Sequence, residues 1–193
     1  VPLGIFLIVH LFTNARAIVS KSSYDEAVRS LSELPYLVVL EVVGILLPLA
    51  FHGIYGLVLA FEGRPNVGKY PYNRNWMYVA QRVTGVVALA FIGWHLSHLW
   101  VPRVLGKLAP IDFYDELVRR LSTPTAGVPL TALGYVFGTA ACVFHFANGL
   151  WGFMTSWGVT PTRRSQRLGA TISGLVGVVV LVLGTAAAIF FAT

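Results

Sequence analysis

The chain has 193 residues, of which 56% are hydrophobic and only 11% are charged, whereas an ordinary soluble domain is about 25% charged. This balance excludes a water-soluble globular domain, and the length predicts one membrane domain over residues 1–193. The net charge of +6 comes from Lys and Arg residues in loops between apolar runs, which indicates membrane topology and anionic lipid headgroups, not nucleic-acid binding. A single cysteine, Cys142, excludes an internal disulfide, an iron–sulfur site or a covalent haem-attachment motif within this chain.

Five apolar runs follow one another along the chain, and a helix needs about 20 such residues to cross a bilayer. The runs cover residues 1–15, 35–61, 76–101, 128–157 and 168–192. The last four are long enough to span, and the first becomes so if residues precede it, so we expect that helix to be truncated at its start. The sequence therefore predicts an all-α integral membrane protein with five transmembrane helices.

The two longer loops each contain an amphipathic stretch, which predicts a short helix on the membrane surface. In the first loop, Ser23 and Glu26 have the spacing of a capping box. In the second, Asp112 is placed to cap the helix. The two apolar faces are formed by Tyr24, Ala27, Val28, Leu31 and Leu34 and by Phe113, Leu117 and Leu121.

The basic residues of the loops predict the orientation of the chain in the membrane. The short loops, 62–75 and 158–167, hold six Lys and Arg residues, whereas the two longer loops spread seven over more residues and mix them with acids. Dense positive charge is typical of cytoplasmic loops. We therefore expect a cytoplasmic N-terminus and a C-terminus outside, and "inner" and "outer" follow this orientation below.

All five histidines, His10, His52, His95, His98 and His145, lie within the predicted membrane helices. A lone intramembrane histidine is most often explained by an interhelical hydrogen bond. Polar groups inside a bilayer are costly, however, and they usually mark a functional site. Four different helices that each carry a histidine therefore predict a bound cofactor.

Depth along the helices sorts four of these histidines into two pairs. With a rise of about 1.5 Å per residue, His10 and His95 lie about 9–10 Å from the outer ends of their helices, and His52 and His145 lie about 15–20 Å from the inner ends. A haem with two axial histidines needs both at one depth on facing helices. The pairs thus predict a four-helix bundle that binds two stacked haems. His98, one turn nearer the outer surface than His95, is the alternative outer ligand, and we favour His95.

Two charged residues are further candidates. Arg82, near the inner end of the third membrane helix, could contact a haem propionate, or its side chain could simply extend to the interface. Glu41 lies before His52 near the outer side, where an acid could accept protons released by a quinol or simply reach water. Pro48 should kink the second helix. Five glycines near the histidines could make room for a macrocycle or let helices touch: Gly44, Gly56, Gly93, Gly138 and Gly149.

Several segments resemble the single-chain di-haem cytochrome b subunits of bacterial succinate:menaquinone oxidoreductases and, more distantly, those of quinol:fumarate reductases. These segments are LPLAFHGIYG ending at Gly56, RNWM at 74–77, QRVTG at 81–85, GWH at 93–95, and VFHFANGLW at 143–151. The resemblance extends from the first residues to about Arg167. The fifth helix matches only in its apolar character.

The resemblance implies that His10, His52, His95 and His145 bind two haem b groups, and that the haem of His52 and His145 lies nearer the iron–sulfur subunit. It also implies a multi-pass anchor in the bacterial cell membrane, bound to a flavoprotein and an iron–sulfur subunit on the cytoplasmic side. A quinone, menaquinone by this resemblance, would react near the outer haem. Succinate oxidation and the reverse reaction, fumarate reduction by quinol, use the same parts, and the sequence leaves the direction open.

Three other functions compete with this interpretation. Cytochrome b anchors of nitrate reductases, hydrogenases or formate dehydrogenases tend to concentrate their histidines on fewer helices. A histidine-based metal transporter would gather its ligands, together with carboxylates, at one site near the midplane. A membrane anchor without haem would leave four intramembrane histidines unexplained. One histidine on each of four helices, in two pairs at different depths, favours the di-haem cytochrome.

Overall fold

A computed structural model describes residues 2–193 and confirms the all-α prediction. Four spans are long and apolar enough to cross a membrane: 37–62, 73–104, 130–156 and 163–192. The first apolar helix, residues 2–18 with its terminal 3₁₀ turn, is shorter than these. All five predicted apolar runs are therefore helical, and four of them have the length of a membrane span.

Nine helices form these spans and their connections among residues 2–193. In chain order they are α1 (Pro2–Ala15), α2 (Lys21–Ser32), α3 (Leu37–Glu41), α4 (Leu47–Glu62), α5 (Asn73–His98), α6 (Trp100–Val104), α7 (Phe113–Ser122), α8 (Leu130–Ser156) and α9 (Arg163–Ala192). A π-helical turn joins α3 to α4, and α6 continues α5 after a break at Leu99. The two loop helices, α2 and α7, lie close to where the amphipathic patterns predict them.

The second membrane helix is distorted just before its proline. The π-helical turn covers Val42–Leu46, and the backbone N–H of Leu47 donates to the carbonyl oxygen of Val42, five residues earlier. Pro48 follows directly and has no N–H to continue the regular pattern of the helix. The distortion predicted at Pro48 thus takes the form of one wide turn.

The predicted caps of the two loop helices are wrong in detail. The N-cap of α2 is Ser20, whose backbone is extended and whose hydroxyl accepts a hydrogen bond from the backbone N–H of Ser23 at 3.0 Å. Ser23 is already helical, so it cannot begin a capping box with Glu26; its hydroxyl accepts a hydrogen bond from Nε of Arg16 at 2.8 Å. Asp112 does occupy the N-cap position of α7, but its backbone is helical and its side chain makes no capping hydrogen bond.

The helices α2 and α7 pack together across one end of the bundle, which we call the capped end. The opposite, open end carries the loops 63–72 and 157–162. Lys21 and Asp115 join α2 to α7, with 2.6 Å between Nζ and Oδ2. The predicted apolar faces are buried only in part: Leu31 and Leu34 stay exposed at 40% and 43%. The buried part packs against the ends of α8 and α9 in a cluster of Ala17, Tyr24, Val28, Leu117, Leu121, Ala132, Tyr135, Ala188 and Phe191.

Small residues allow close contact between α8 and α9, whereas α4 stands apart. A Cβ added at Gly177 would lie 2.8 Å from Cβ of Ala147, and one at Gly184 would lie 2.7 Å from Cγ2 of Thr139. About a third of the most apolar stretch of α8 and of α9 is buried (33%), but the corresponding stretch of the second span is 0% buried. The span that carries His52 is therefore the least buried of the four, although a Cβ added at Gly53 would lie 2.8 Å from Cδ1 of Leu89 on α5.

Candidate functional site

The fold brings four of the five histidines together in two pairs. The ring centres of His10 on α1 and His95 on α5 are 5.6 Å apart, and those of His52 on α4 and His145 on α8 are 5.9 Å apart. In both pairs the ring planes are inclined at 73°. These are the two pairs that the depth estimates predict, and their role as haem ligands stays a prediction.

The two pairs lie at different levels of the bundle. His95 contacts Tyr135 near the start of α8, whereas His145 lies ten residues further along the same helix, or about 15 Å at the usual helical rise. Tyr135 belongs to the buried cluster of the capped end. The pair of His10 and His95 is therefore nearer the capped end, and the pair of His52 and His145 is nearer the open end.

Both pairs fit an iron held between two imidazoles. With a metal–nitrogen bond of about 2 Å, the centres of two rings on opposite sides of a metal are about 6 Å apart. The observed separations of 5.6 and 5.9 Å are close to this value. Among residues 2–193, no group of three or more His, Cys, Asp and Glu side chains is placed to hold a bare metal ion. Two imidazoles suit an iron whose other ligands come from a porphyrin.

Residues of α5 orient His145. Its Nδ1 lies 3.0 Å from the carbonyl oxygen of Gln81, so Nδ1–H donates there and Nε2 keeps the lone pair that a metal needs. The Gln81 amide lies 3.4 Å from Nε2 and donates to the His145 carbonyl at 3.1 Å. Asn148 on α8 donates to Oε1 of Gln81 at 2.8 Å.

A glycine on α5 makes room for the His145 ring. A Cβ added at Gly85 would lie 2.8 Å from Cε1 and 3.1 Å from Nδ1 of His145, closer than side chains normally approach. Gly85 is part of the QRVTG motif, but its neighbour across the bundle is not evident from the sequence. Any larger side chain there would displace the imidazole from Gln81.

The surroundings of His52 are open. His52 itself is exposed, and a Cβ added at Gly44 or Gly56 on the same span would find no atom of residues 2–193 within 4 Å beyond its own helix. These open positions leave room for the edge of a flat macrocycle beside His52. Gly138 differs, because a Cβ added there would overlap Cδ2 of Phe91, so this glycine lets α5 pack on α8.

Aromatic rings frame the pair nearer the capped end. Phe6 stacks on His10 with 5.3 Å between ring centres, and Phe91 stacks on His95 with 5.9 Å. The Oη of Tyr135 lies 3.2 Å from Nδ1 of His95. Tyr135 is not among the residues predicted from the sequence, although a phenol inside an apolar run needs a hydrogen-bond partner and is a signal that could have found it.

The structure also distinguishes His98 from His95. The Oη of Tyr135 is 3.2 Å from Nδ1 of His98 as well, and the His98 ring lies 4.5 Å from the Trp94 ring. It is the ring of His95 that faces His10 at 5.6 Å. This arrangement supports the choice of His95 for the outer pair.

Arg82 lies at the open end beside the inner pair. Its guanidinium is stacked 3.4 Å from the centre of the Tyr78 ring, and its Nε is buried without a hydrogen-bond partner among residues 2–193. With Arg74 and Gln81, it lines a cavity of about 400 Å³ between α5 and α8. A buried, unpaired N–H is costly, so an anionic oxygen in this cavity would be stabilised. The predicted contact with a haem propionate fits this position.

Glu41 takes part in an ion pair near the capped end. Its Oε2 accepts hydrogen bonds from the Arg103 guanidinium and from Nε1 of Trp100, the latter at 3.1 Å. Only 19% of the Glu41 side chain and 15% of the Arg103 side chain are exposed. The carboxylate thus ties the second membrane span to the end of the third.

Fold and site together define a multi-pass α-helical membrane protein with paired imidazoles inside its bundle, the arrangement of a membrane cytochrome. The family described as succinate dehydrogenase/fumarate reductase transmembrane subunit matches residues 64–186. The chain is also 37% identical over 192 residues to the succinate dehydrogenase cytochrome b558 subunit of Bacillus subtilis (strain 168). The matched region covers 99% of this chain and 91% of the relative. No solved structure matches the chain.

This chain belongs to the succinate dehydrogenase/fumarate reductase transmembrane subunit family, which confirms the resemblance seen in its motifs. It is accordingly a membrane subunit of an oxidoreductase complex and a cytochrome b. The interpretations as a metal transporter, a bare anchor or the anchor of an unrelated redox complex lose their support.

Proposed function

We propose that this chain carries electrons between the iron–sulfur subunit of a succinate dehydrogenase and a quinone, through two haem b groups that are each held by two histidines. The observation that carries the proposal is the meeting of the histidines in two facing pairs at different levels of one bundle. Haem b supplies one-electron chemistry when bound. The succinate chemistry itself takes place on the flavoprotein.

Each pair has its own supporting residues. His52 and His145 would hold the inner haem, and the hydrogen bond from Nδ1–H of His145 to the Gln81 carbonyl would leave Nε2 as the metal-binding nitrogen. Arg82 offers its unpaired Nε to a propionate of that haem. His10 and His95 would hold the outer haem, and Phe6 and Phe91 stack on the rings of these two histidines.

The open end is the side that we propose for the flavoprotein and iron–sulfur subunits. Its short basic loops predict a cytoplasmic location in a bacterial cell membrane, with the N-terminus inside and the C-terminus outside. Exposed aromatic side chains at this end, such as Tyr72 (68%) and Trp157 (76%), suit a protein partner. At the capped end, α2 and α7 cover the ends of α8 and α9.

The quinone, which we take to be menaquinone, would react near the outer haem at the capped end. Glu41 lies at this end and is the candidate for proton exchange with the quinone, although Arg103 already pairs with it. Electrons then pass from succinate through the inner to the outer haem, and fumarate reduction by quinol would use the same route in reverse.

A His95→Ala variant of the whole complex tests the order of the two haems. Because His95 would bind only the outer haem, succinate should still reduce the inner haem under anaerobic conditions, whereas the rate of menaquinone-analogue reduction should fall about 100-fold. Stopped-flow spectra of the haem bands would follow the first reaction. Oxidation of succinate by a soluble dye would serve as the control for intact partner subunits. Normal quinone reduction without inner-haem reduction would reverse the proposed order.

A further inference from the structure

We propose that Tyr135 is the positioning residue of the outer haem ligand, and that it acts through a hydrogen-bonded chain from His95 through Tyr135 to His98. The inference rests on the proposed function because it requires His95 to bind the outer haem iron. It assigns roles to two residues, Tyr135 and His98, that are not themselves ligands.

Tyr135 is held firmly between the two histidines. It is only 7% exposed, and its Oη lies 3.2 Å from Nδ1 of both His95 and His98. The Tyr135 ring meets the His95 ring edge to face at 5.5 Å and stacks on the His98 ring at 6.0 Å with an angle of 19°. The Trp94 ring also packs against the Tyr135 ring, with 5.3 Å between ring centres.

Ligation of iron by His95 fixes the direction of these hydrogen bonds. A neutral imidazole that binds a metal through Nε2 carries its proton on Nδ1, so Nδ1–H of His95 donates to Oη of Tyr135. The phenol has a single O–H, which is then free to donate to Nδ1 of His98. His98 therefore keeps its own ring proton on Nε2, and both the donor and the acceptor capacity of Tyr135 are used.

The chain has two consequences for the outer haem. Donation from Nδ1 holds the His95 ring in one orientation and makes its Nε2 a stronger electron donor to the metal, which favours the oxidised haem. The Tyr135 hydroxyl in turn donates to Nδ1 of His98, whose ring lies against the Trp94 ring. His95 is thus the histidine that is left to face His10. Tyr135 thereby lowers the potential of the outer haem and helps to select its ligand.

The variant Tyr135→Phe removes Oη and keeps the ring, so it tests this chain directly. In a redox titration of the complex, both haems should remain and the ratio of reduced to oxidised outer haem at a fixed potential should rise about tenfold, or about 59 mV in midpoint potential for one electron. The inner haem should keep its potential. The electron paramagnetic resonance g values of the outer haem should shift, because the ligand field of His95 weakens. Tyr36→Phe, which removes an exposed hydroxyl in the turn before α3, should change neither haem.

A second variant, His98→Ala, removes the acceptor of the Tyr135 hydroxyl, together with the ring that packs on Trp94, and keeps Oη of Tyr135 beside His95. It should raise the outer haem potential in the same direction by a smaller amount, and this result decides the matter if Tyr135→Phe fails to assemble. His98→Ala likewise decides the matter if Tyr135→Phe loses the outer haem, because the potential of that haem can then be read only in His98→Ala. Unchanged outer haem potential and g values in both variants would overturn the inference. If the proposed function is wrong, His95→Ala should instead keep its outer haem, because His95 would then not be a ligand of that haem.

Discussion

Replacing Gly85 with valine should remove the inner haem and leave the outer one in place. The added Cβ would lie 2.8 Å from Cε1 of His145, and the branched methyl groups of valine would crowd the ring further. His145 would be pushed away from the Gln81 carbonyl, which orients it at 3.0 Å. We expect the haem content to fall from two to one per chain, with the outer haem retaining its spectrum.

Gly174→Val is the matched control for this prediction. Gly174 also lies in the middle of a membrane helix, α9, and a Cβ there would find no atom of residues 2–193 within 4 Å beyond its own helix. Gly174→Val therefore changes the helix propensity in the same way as Gly85→Val, but its side chain does not clash with a neighbouring helix. A haem assay on both purified complexes provides the comparison. Full haem content in Gly85→Val would show that His145 does not need its observed position to bind haem.

Replacing Arg103 with leucine should destabilise the protein by about 2–3 kcal/mol. Removal of one partner from a buried ion pair costs about 3–5 kcal/mol because the other charge is left without compensation, and the residual exposure of this pair reduces the effect. Glu41 would keep a carboxylate that is only 19% exposed and lose its guanidinium partner. The free energy of unfolding in detergent, followed by circular dichroism, measures the loss.

The double variant Glu41→Leu/Arg103→Leu separates the ion pair from the packing of the side chains. Since it removes both charges, it should recover most of the stability lost in Arg103→Leu. Arg29→Leu, at an exposed position of α2, is the control and should stay within about 0.5 kcal/mol of the wild type. Equal losses in the single and double variants would show that the charge on Glu41 carries no penalty and that the pair acts only through packing.

The pairing of the histidines could be predicted from the sequence for a simple geometric reason. Membrane helices alternate in direction and rise by a constant amount per residue, so position along the chain converts directly into depth. Depth alone placed His10 level with His95 and His52 level with His145, and the ring separations in the structure agree with this pairing. The extent of the apolar runs likewise predicted where the membrane helices lie.

The surroundings of the pairs could not be predicted in the same way. Neighbours such as Tyr135, Gly85 and Arg103 depend on the rotation of each helix about its axis, and a helix that is apolar on all sides carries little periodic signal for it. The prediction of the capping residue of α2 was wrong for a different reason. Both Ser20 and Ser23 are suitable capping residues, and only the backbone conformation decides between them.

The most direct test of the central claim is a reduced-minus-oxidised spectrum with a haem assay on the purified complex, for the wild type and for His52→Ala and His95→Ala. Two separate bis-histidine sites predict two haems b per chain in the wild type and one in each variant, with a different haem lost in each. A wild-type protein without haem, or the loss of the same haem in both variants, would contradict the account.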